Sequence, residues 1–146
     1  MSEQGHDAVR TICEHWPTLS VDELRAVMTD DCDYRNVPIE GDRHVGPEAA
    51  HSVLSPMSAK WDVELTIINL VGDDRVVMTE RTERFVRRDG SREPFVLPVM
   101  GVFELRDGKV AAWRDYFELS HSGCADVRID GRLSSACGVR SRPAEC

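Results

Sequence analysis

The sequence predicts an α+β fold in which helices cover one face of a curved sheet. Helix signals are confined to the first part of the chain, and strands with alternating polar and apolar residues follow one another after Lys60. Turns that contain an Asp-Gly pair join the later strands, which is typical of antiparallel hairpins. Strands gathered after helices indicate an α+β arrangement. The length, 146 residues, fits a single domain.

The helices are predicted from their ends and their apolar residues. The first helix covers residues 7–14. Ser20 and Glu23 have the spacing of a capping box, which predicts the start of a second helix. Pro47 occupies a first-turn position, where its missing N–H costs nothing, and predicts a third helix over 48–54. The apolar face of the second helix is formed by Leu24, Val27 and Met28.

Residue alternation predicts five strands. Pro98 lies inside one of them, which indicates a sheet edge or a bulge because proline cannot donate a ladder hydrogen bond. We expect one domain over residues 1–120 and a loosely held tail over 121–146, where large apolar residues are scarce. In chain order, the predicted strands cover residues 32–38, 61–67, 75–87, 95–105 and 110–119.

The composition excludes several classes of function. The net charge is −8 and the sequence pI is about 5.1, which disfavours binding to nucleic acid or anionic lipid because both attract basic surfaces. No apolar stretch approaches the roughly 20 residues of a membrane span, and the polar N-terminus does not resemble a signal peptide. We therefore expect a cytoplasmic protein without a nucleic-acid or membrane partner.

The cysteines and histidines do not predict a metal site. Five cysteines, an odd number without a Cys-x-x-Cys pair, are typical of free thiols in a reducing compartment. The five histidines are scattered, and the sequence has no glycine-rich phosphate loop. We expect neither a metal nor a nucleotide cofactor. His44 and His51, which flank the third helix, are expected at the surface.

The last predicted strand places a carboxylate on an apolar face. Asp115 lies between Trp113 and Phe117 in the alternating pattern, together with Ala111 and Leu119. Burying an ionised carboxylate is costly unless the group is paired and hydrogen-bonded. Asp115 is therefore either a site residue with a charged partner or a structural aspartate that backbone amides satisfy.

Another strand supplies a partner of opposite charge. Arg81 and Glu83 are neighbours on one face of the predicted strand 75–87. A guanidinium offers five donors and can bridge two carboxylates. Asp115 and Glu83 held in this way would have the unlike environments that a general base and a general acid need. The alternative is a solvated cross-strand ion pair, which contributes well under ~1 kcal/mol to stability.

A phenol and an amide occupy the first predicted strand. Tyr34 and Asn36 lie two residues apart and therefore share a face of that strand. Side chains of these two types can together hold a water molecule. The alternative is an ordinary polar strand that approaches a turn.

Together these segments resemble the limonene-1,2-epoxide hydrolase family, within the group of folds similar to nuclear transport factor 2 and to SnoaL. The resemblance covers about residues 7–119 and keeps the order and spacing of three motifs. The motifs are Tyr34-Arg-Asn36-Val-Pro38, then Thr79-Glu-Arg81-Thr-Glu83, and last Gly101-Val-Phe-Glu-Leu, Gly108-Lys-Val and Trp113-Arg-Asp115-Tyr-Phe-Glu-Leu119.

The resemblance implies a strongly curved, cone-like mixed sheet whose N-terminal helices close a deep apolar pocket, usually in a homodimer. It implies an epoxide hydrolase that opens an apolar or polyketide-like epoxide to a vicinal diol in one step, without metal or cofactor. Asp115 would be the general base, and Tyr34 and Asn36 would hold the attacking water. Arg81 would bridge the two acids, and Glu83 would protonate the epoxide oxygen.

Glu83 stands where the family has an aspartate. Its additional methylene moves the carboxyl group, and a misplacement of ~1 Å can cost around 10²-fold in rate. Two alternatives therefore stay open beside hydrolysis. One is an epoxide-opening cyclase or isomerase that uses the same site without water, and the other is a non-catalytic small-molecule binding or dimerisation module. Trp113 and Phe117 are the expected substrate contacts.

Overall fold

The computed structural model describes residues 3–122 of the chain, so all but the start of the predicted tail 121–146 lies outside the described residues. The helices are α1 (Glu3–His15), α2 (Val21–Val27) and α3 (Pro47–Lys60), and a 3-10 turn covers Leu119–Ser122. The strands are β1 (Met28–Asn36), β2 (His44–Val45), β3 (Trp61–Gly72), β4 (Val76–Arg87), β5 (Phe95–Arg106) and β6 (Lys109–Tyr116).

These strands form one mixed sheet in the order β2-β1-β6-β5-β4-β3. From β3 to β6 each strand pairs antiparallel with its chain neighbour, as the hairpin turns predict. β1 instead lies parallel to β6, with Asn36 opposite Asp115 and Tyr34 opposite Trp113. The predicted α+β class with a mixed, curved sheet is confirmed. The parallel pair brings the first predicted site strand beside the last.

Helix α1 covers the sheet through a single apolar stripe. Its buried residues recur at intervals of three and four, which places them on one face of the helix. At Gly5 the helix approaches β5 so closely that an added Cβ would lie 2.5 Å from Leu105 Cδ1. The buried residues of α1 are Gly5, Ala8, Val9, Ile12 and Cys13.

The capping box of α2 forms as predicted. The Ser20 hydroxyl accepts a hydrogen bond from the Glu23 backbone N–H, and the Glu23 carboxylate accepts one from the Ser20 N–H. The prediction that Met28 belongs to this helix is wrong. Met28 has an extended backbone, caps the helix and begins β1, although its side chain is still buried in the core.

Helix α3 extends beyond the predicted range 48–54 to Lys60. Pro56 lies inside the helix, where proline removes one backbone hydrogen bond. Val53 before it is buried, and Met57 after it packs against the core. This packing on both sides of Pro56 accounts for a helix that continues to the start of β3.

A bulge changes which residues of β6 face inward. Leu105 of β5 pairs with Val110, but the preceding Glu104 pairs with Ala112, so Ala111 is the extra residue. Val110 is consequently buried, and Ala111 is only half-buried. The prediction that Ala111 lies on the inner face is therefore wrong, because strict alternation does not survive the bulge.

The last strand ends at Tyr116, before the predicted residue 119, and Tyr116 pairs with Met100 of β5. Pro98 lies beyond this pair, where β5 pairs with β4 alone. The prediction that Pro98 lies at a sheet edge or a bulge is therefore confirmed. At Pro98 one side of β5 has no partner strand, although β5 is an internal strand from Met100 onward. Phe117 follows the strand instead of belonging to it.

Candidate active site

The inward face of β4 carries the polar centre of the described chain. Thr79, Arg81 and Glu83 alternate with more exposed residues along the strand and are all buried, so the shared face predicted for Arg81 and Glu83 points inward. Arg81 is only 1% exposed. A guanidinium at this depth is stable only when it is paired and hydrogen-bonded, so its partners define the site.

Arg81 joins two carboxyl groups. Its Nη2 donates to Asp115 Oδ2 at 2.6 Å, and its Nε donates to Glu83 Oε1 at 3.0 Å. Nη1 donates to Thr79 Oγ1 at 3.2 Å. Burial lowers the pKa of Arg81, but the charges of Asp115 and Glu83 outweigh this effect and raise it. The predicted trio of Asp115, Arg81 and Glu83 is thus present around a permanently charged guanidinium.

A glycine makes room for this bridge. β5 lies between β4 and β6, and Gly101 of β5 pairs with Thr79 on one side and with Asp115 on the other. A Cβ at Gly101 would lie 2.6 Å from Arg81 Nη1 and 2.8 Å from Thr79 Oγ1. The Arg81 guanidinium therefore passes over β5 at Gly101, in space that the side chain of any other residue at position 101 would occupy.

Each carboxyl group also accepts a hydrogen bond from an indole. Trp113 Nε1 on β6 donates to Asp115 Oδ1 at 2.9 Å, and Trp16 Nε1, just after α1, donates to Glu83 Oε1 at 3.1 Å. Burial raises the pKa of Glu83, an effect that the Arg81 charge opposes but does not cancel. Glu83 therefore keeps its proton to a higher pH than an ordinary glutamate.

Tyr34 and Asn36 lie beside Asp115, as the parallel register of β1 and β6 requires. Asn36 Nδ2 donates to the Tyr34 hydroxyl at 3.0 Å and to Asp42 Oδ2 at 3.1 Å. The backbone N–H of Asn36 donates to the same Asp42 oxygen at 2.7 Å. Asp42 thereby fixes the nitrogen end of the Asn36 amide, and the carbonyl oxygen accepts a hydrogen bond from the Tyr34 hydroxyl at 3.3 Å, with a second lone pair left for another donor.

Asp42 is in turn held by His44, whose Nε2 lies 2.8 Å from Asp42 Oδ1. Only 12% of the His44 side chain and 4% of the Asp42 side chain are exposed. The prediction that His44 is a surface residue is therefore wrong. Its position results from the pairing of β2 with β1, which sets His44 opposite Tyr34 with ring centroids 5.8 Å apart. His51 on α3 is half-buried.

A largely apolar cavity opens in front of these polar groups. Its empty space, including the part open to solvent, is about 580 Å³. Asp115, Glu83, Tyr34 and Asn36 line the cavity, whereas Arg81 lies behind the two carboxyl groups. The rest of the wall consists of Trp16, Val53, Leu54, Met57, Phe85, Leu97, Val99, Trp113 and Phe117.

Sequence reasoning missed several residues of this site. Leu97 and Val99 line the cavity and could have been found, because they alternate with exposed neighbours along β5. Trp16 follows a helix and Asp42 lies in a turn, so neither carries a periodic signal. Phe117 lines the cavity as expected, although it follows β6.

Cys13 packs behind the polar centre, with its Sγ 4.0 Å from Thr79 Oγ1. Burial raises the pKa of this thiol to about 12, so it is not a nucleophile near neutral pH. Cys13 and Cys32 are both free, as expected, and the other cysteines lie outside the described residues. Between residues 3 and 122, no three His, Cys, Asp or Glu side chains are grouped in a way that could hold a metal ion.

Comparisons with known proteins identify the family. The family model described as the limonene-1,2-epoxide hydrolase catalytic domain matches residues 5–123. The chain belongs to the limonene-1,2-epoxide hydrolase family. One curated relative, the epoxide hydrolase EphG of Mycobacterium tuberculosis, is 34% identical over 98 residues. The matched region is 67% of this chain and 62% of EphG, so it spans less than two thirds of that relative.

Solved structures agree with the family and the fold. A limonene-1,2-epoxide hydrolase-like epoxide hydrolase of M. tuberculosis is 28% identical, with a TM-score of 0.68 over 82% of this chain and 86% of that chain. A SnoaL-like protein from Jannaschia sp. CCS1 has a TM-score of 0.72 over 92% and 94% of the two chains. At 18% identity this second likeness concerns the fold alone.

Among the described helices, none is long and apolar enough to span a membrane.

Proposed function

We propose that this protein is an epoxide hydrolase that converts a neutral, apolar epoxide into a vicinal diol in one step. The observation that carries the proposal is the arrangement of Asp115 and Glu83, which share the buried Arg81 guanidinium and both line an apolar cavity. An epoxide needs a base to activate water and an acid to protonate the departing oxygen, and two unlike carboxyl groups supply both.

Asp115 is the general base in this proposal. It lies beside Asn36 and Tyr34, which line the same cavity and offer a carbonyl and a hydroxyl to an attacking water. The water gives one proton to Asp115 while its oxygen bonds to an epoxide carbon. The donors Arg81 and Trp113 keep the Asp115 carboxylate oriented throughout.

Glu83 is the general acid. Its raised pKa, which results from burial, favours the protonated form that an acid must have at the start of the reaction. As the ring C–O bond breaks, Glu83 gives its proton to the epoxide oxygen, and both hydroxyls of the diol are complete. A proton then has to pass from Asp115 back to Glu83 before the next turnover. The proposed reaction includes no metal or cofactor.

The composition of the cavity wall supports this substrate class. The two carboxyl groups are its ionisable acids, and the other side chains are apolar, aromatic or uncharged polar. A wall of this kind favours neutral, apolar molecules and disfavours anions. Trp113 and Phe117 stay the proposed substrate contacts, because both line the cavity on the Asp115 side of the sheet.

We also propose a homodimer. Met78, Met100 and Tyr116 are each about half exposed on the outer face of β4, β5 and β6. Adjacent exposed apolar side chains of this kind are typical of protein contact surfaces. Sedimentation at micromolar concentration should give twice the mass of the chain, and a monomer there would contradict this part of the proposal.

Isotope labelling tests the reaction. The purified protein is incubated with a panel of neutral epoxides in ¹⁸O-labelled water, and the products are analysed by mass spectrometry. We expect a vicinal diol with one labelled oxygen, and we expect Asp115→Asn to abolish its formation. The proposal fails if no diol forms or if Asp115→Asn leaves turnover unchanged. A rearranged product without the label would instead indicate opening by a hydroxyl of the substrate.

A further inference from the structure

Two hydrogen bonds converge on a single oxygen of Glu83. Arg81 Nε and Trp16 Nε1 both donate to Oε1, at 3.0 and 3.1 Å. Oε2 accepts no hydrogen bond from residues 3–122, and it is not sealed from the cavity that Glu83 lines. Asp115 is different, because its Oδ1 and Oδ2 each accept one donor.

We propose that Trp16 is the positioning residue of the catalytic acid: its indole N–H, together with Arg81 Nε, holds Oε1 so that Oε2 carries the proton and faces the substrate. This inference rests on the proposed function and assigns a role to a residue outside the three strands that carry the acid, the base and the water-holding pair.

The need for such a residue follows from the length of glutamate. Glu83 has one more rotatable bond than an aspartate, so the β4 backbone alone does not fix where its carboxyl group points. Trp16 is itself fixed, because it is 6% exposed and its backbone N–H donates to Ile12 O at 2.9 Å, which continues the hydrogen bonding of α1. The carboxyl group is thus held between a strand arginine and a helix-end indole.

The same geometry determines which oxygen is protonated. A hydrogen on Oε1 would point toward two N–H groups, whereas Oε2 meets none. The proton therefore resides on Oε2, the oxygen that can reach an epoxide in the cavity. The indole hydrogen bond also favours the ionised form of Glu83 and lowers its pKa, against the larger effect of burial. Trp16 thus affects both the direction and the strength of the acid.

The test compares Trp16→Phe with Trp61→Phe. Both substitutions remove a buried indole, but Trp61 Nε1 has no hydrogen-bond partner among the described residues and Trp61 does not line the cavity. For Trp16→Phe we expect kcat for diol formation to fall about tenfold, with a small change in KM. We also expect the alkaline limb of the pH profile to move to higher pH, because the lost donor no longer favours ionisation. Trp61→Phe should not move this limb.

Two further measurements keep the inference separate from the proposed reaction. A ¹³C NMR titration of labelled glutamate, with Glu83→Gln to assign the signal, should show a higher Glu83 pKa in Trp16→Phe than in the wild type, even if no epoxide is turned over. The second measurement makes Trp16→Phe in the Glu83→Asp variant. Because the shorter side chain at position 83 ends farther from the indole, Trp16→Phe should cost little further activity there. The inference is overturned if Trp16→Phe lowers kcat without moving the limb or the NMR pKa, or if its cost is equal in both backgrounds.

Discussion

The two carboxyl groups of the site have similar partners and different geometry. Asp115 and Glu83 each accept one hydrogen bond from Arg81 and one from an indole. On Asp115 the two donors occupy different oxygens, which stabilises a carboxylate. On Glu83 they occupy the same oxygen, which leaves the other free to carry a proton. The comparison teaches that the two carboxyl groups differ in the placement of their donors and not in the chemical type of those donors, a difference that suits the base and acid roles proposed for them.

The largest expected effect comes from neutralising each carboxyl group in turn. Glu83→Gln keeps the size and the acceptor oxygen but cannot give up a proton, so we expect a loss of about 10²- to 10⁴-fold in kcat on an alkyl epoxide. The loss should be much smaller on an epoxide with a trifluoromethyl group beside the departing oxygen, because that alkoxide is a weaker base and needs less protonation. Paired kinetics on the two substrates measure the difference.

Asp115→Asn is the matched comparison for this experiment. The substitution removes the base, whose contribution does not depend on the departing oxygen, so its loss should be of similar size on both epoxides. If the trifluoromethyl substrate rescued Asp115→Asn instead of Glu83→Gln, the acid and base assignments would have to be exchanged.

The next effect concerns stability and pH. Burial raises the pKa of Glu83 above its ordinary 4.5 in the folded state, so the folded protein binds this proton more tightly than the unfolded chain does. The stability that this proton contributes is fully present below the pKa of Glu83 in the unfolded chain. It is lost as the pH rises through the pKa of Glu83 in the folded protein. The free energy of unfolding of the wild type should therefore fall relative to that of Glu83→Gln as the pH rises above 4.5. Urea unfolding at a series of pH values measures it, and a difference independent of pH would refute the raised pKa.

The smallest expected effect concerns the residues proposed to hold the attacking water beside Asp115. Asp42→Asn weakens the acceptor that holds the Asn36 backbone and side-chain N–H groups, so the amide can turn and bind the water less well. We expect kcat to fall about tenfold. Asp33→Asn is the control, because Asp33 lies on β1 near Asn36 but binds Arg35 and Arg43 away from the cavity. Equal losses in both variants would show that the loss of a carboxylate near β1, and not the orientation of Asn36, lowers the rate.

The sequence predicts which residues share a face of the site strands and indicates the trio of Asp115, Arg81 and Glu83, but not the strand register that brings the trio together. Alternation in β4 places Arg81 and Glu83 on one face but does not show that this face is buried, because both faces of the strand carry charge. The apolar surroundings of Asp115 identify an unusual carboxylate. Alternation does not predict the bulge at Ala111, since one extra residue in a strand leaves no mark on composition. It also cannot show that Gly101 lies between Thr79 and Asp115, because this depends on the register of three strands.

Trp16 and Asp42 are harder to predict for another reason. Both act through hydrogen bonds made between elements of different type, a helix end with β4 and a turn with β1. Periodicity describes one element at a time, so contacts of this kind become visible only in three dimensions. The short strand β2, which aligns His44 with Tyr34, was missed because two residues are too few for any alternation.

The parallel pairing of β1 with β6 has a consequence for the order in which the molecule is built. The hairpins from β3 to β6 join chain neighbours and already contain both carboxyl groups and Arg81. Asn36 and Tyr34 meet Asp115 and Trp113 only when distant parts of the chain associate, and contacts of long sequence separation form slowly during folding. A folding intermediate made of the hairpins alone would hold the proposed acid and base without Asn36 and Tyr34, the pair proposed to position the attacking water.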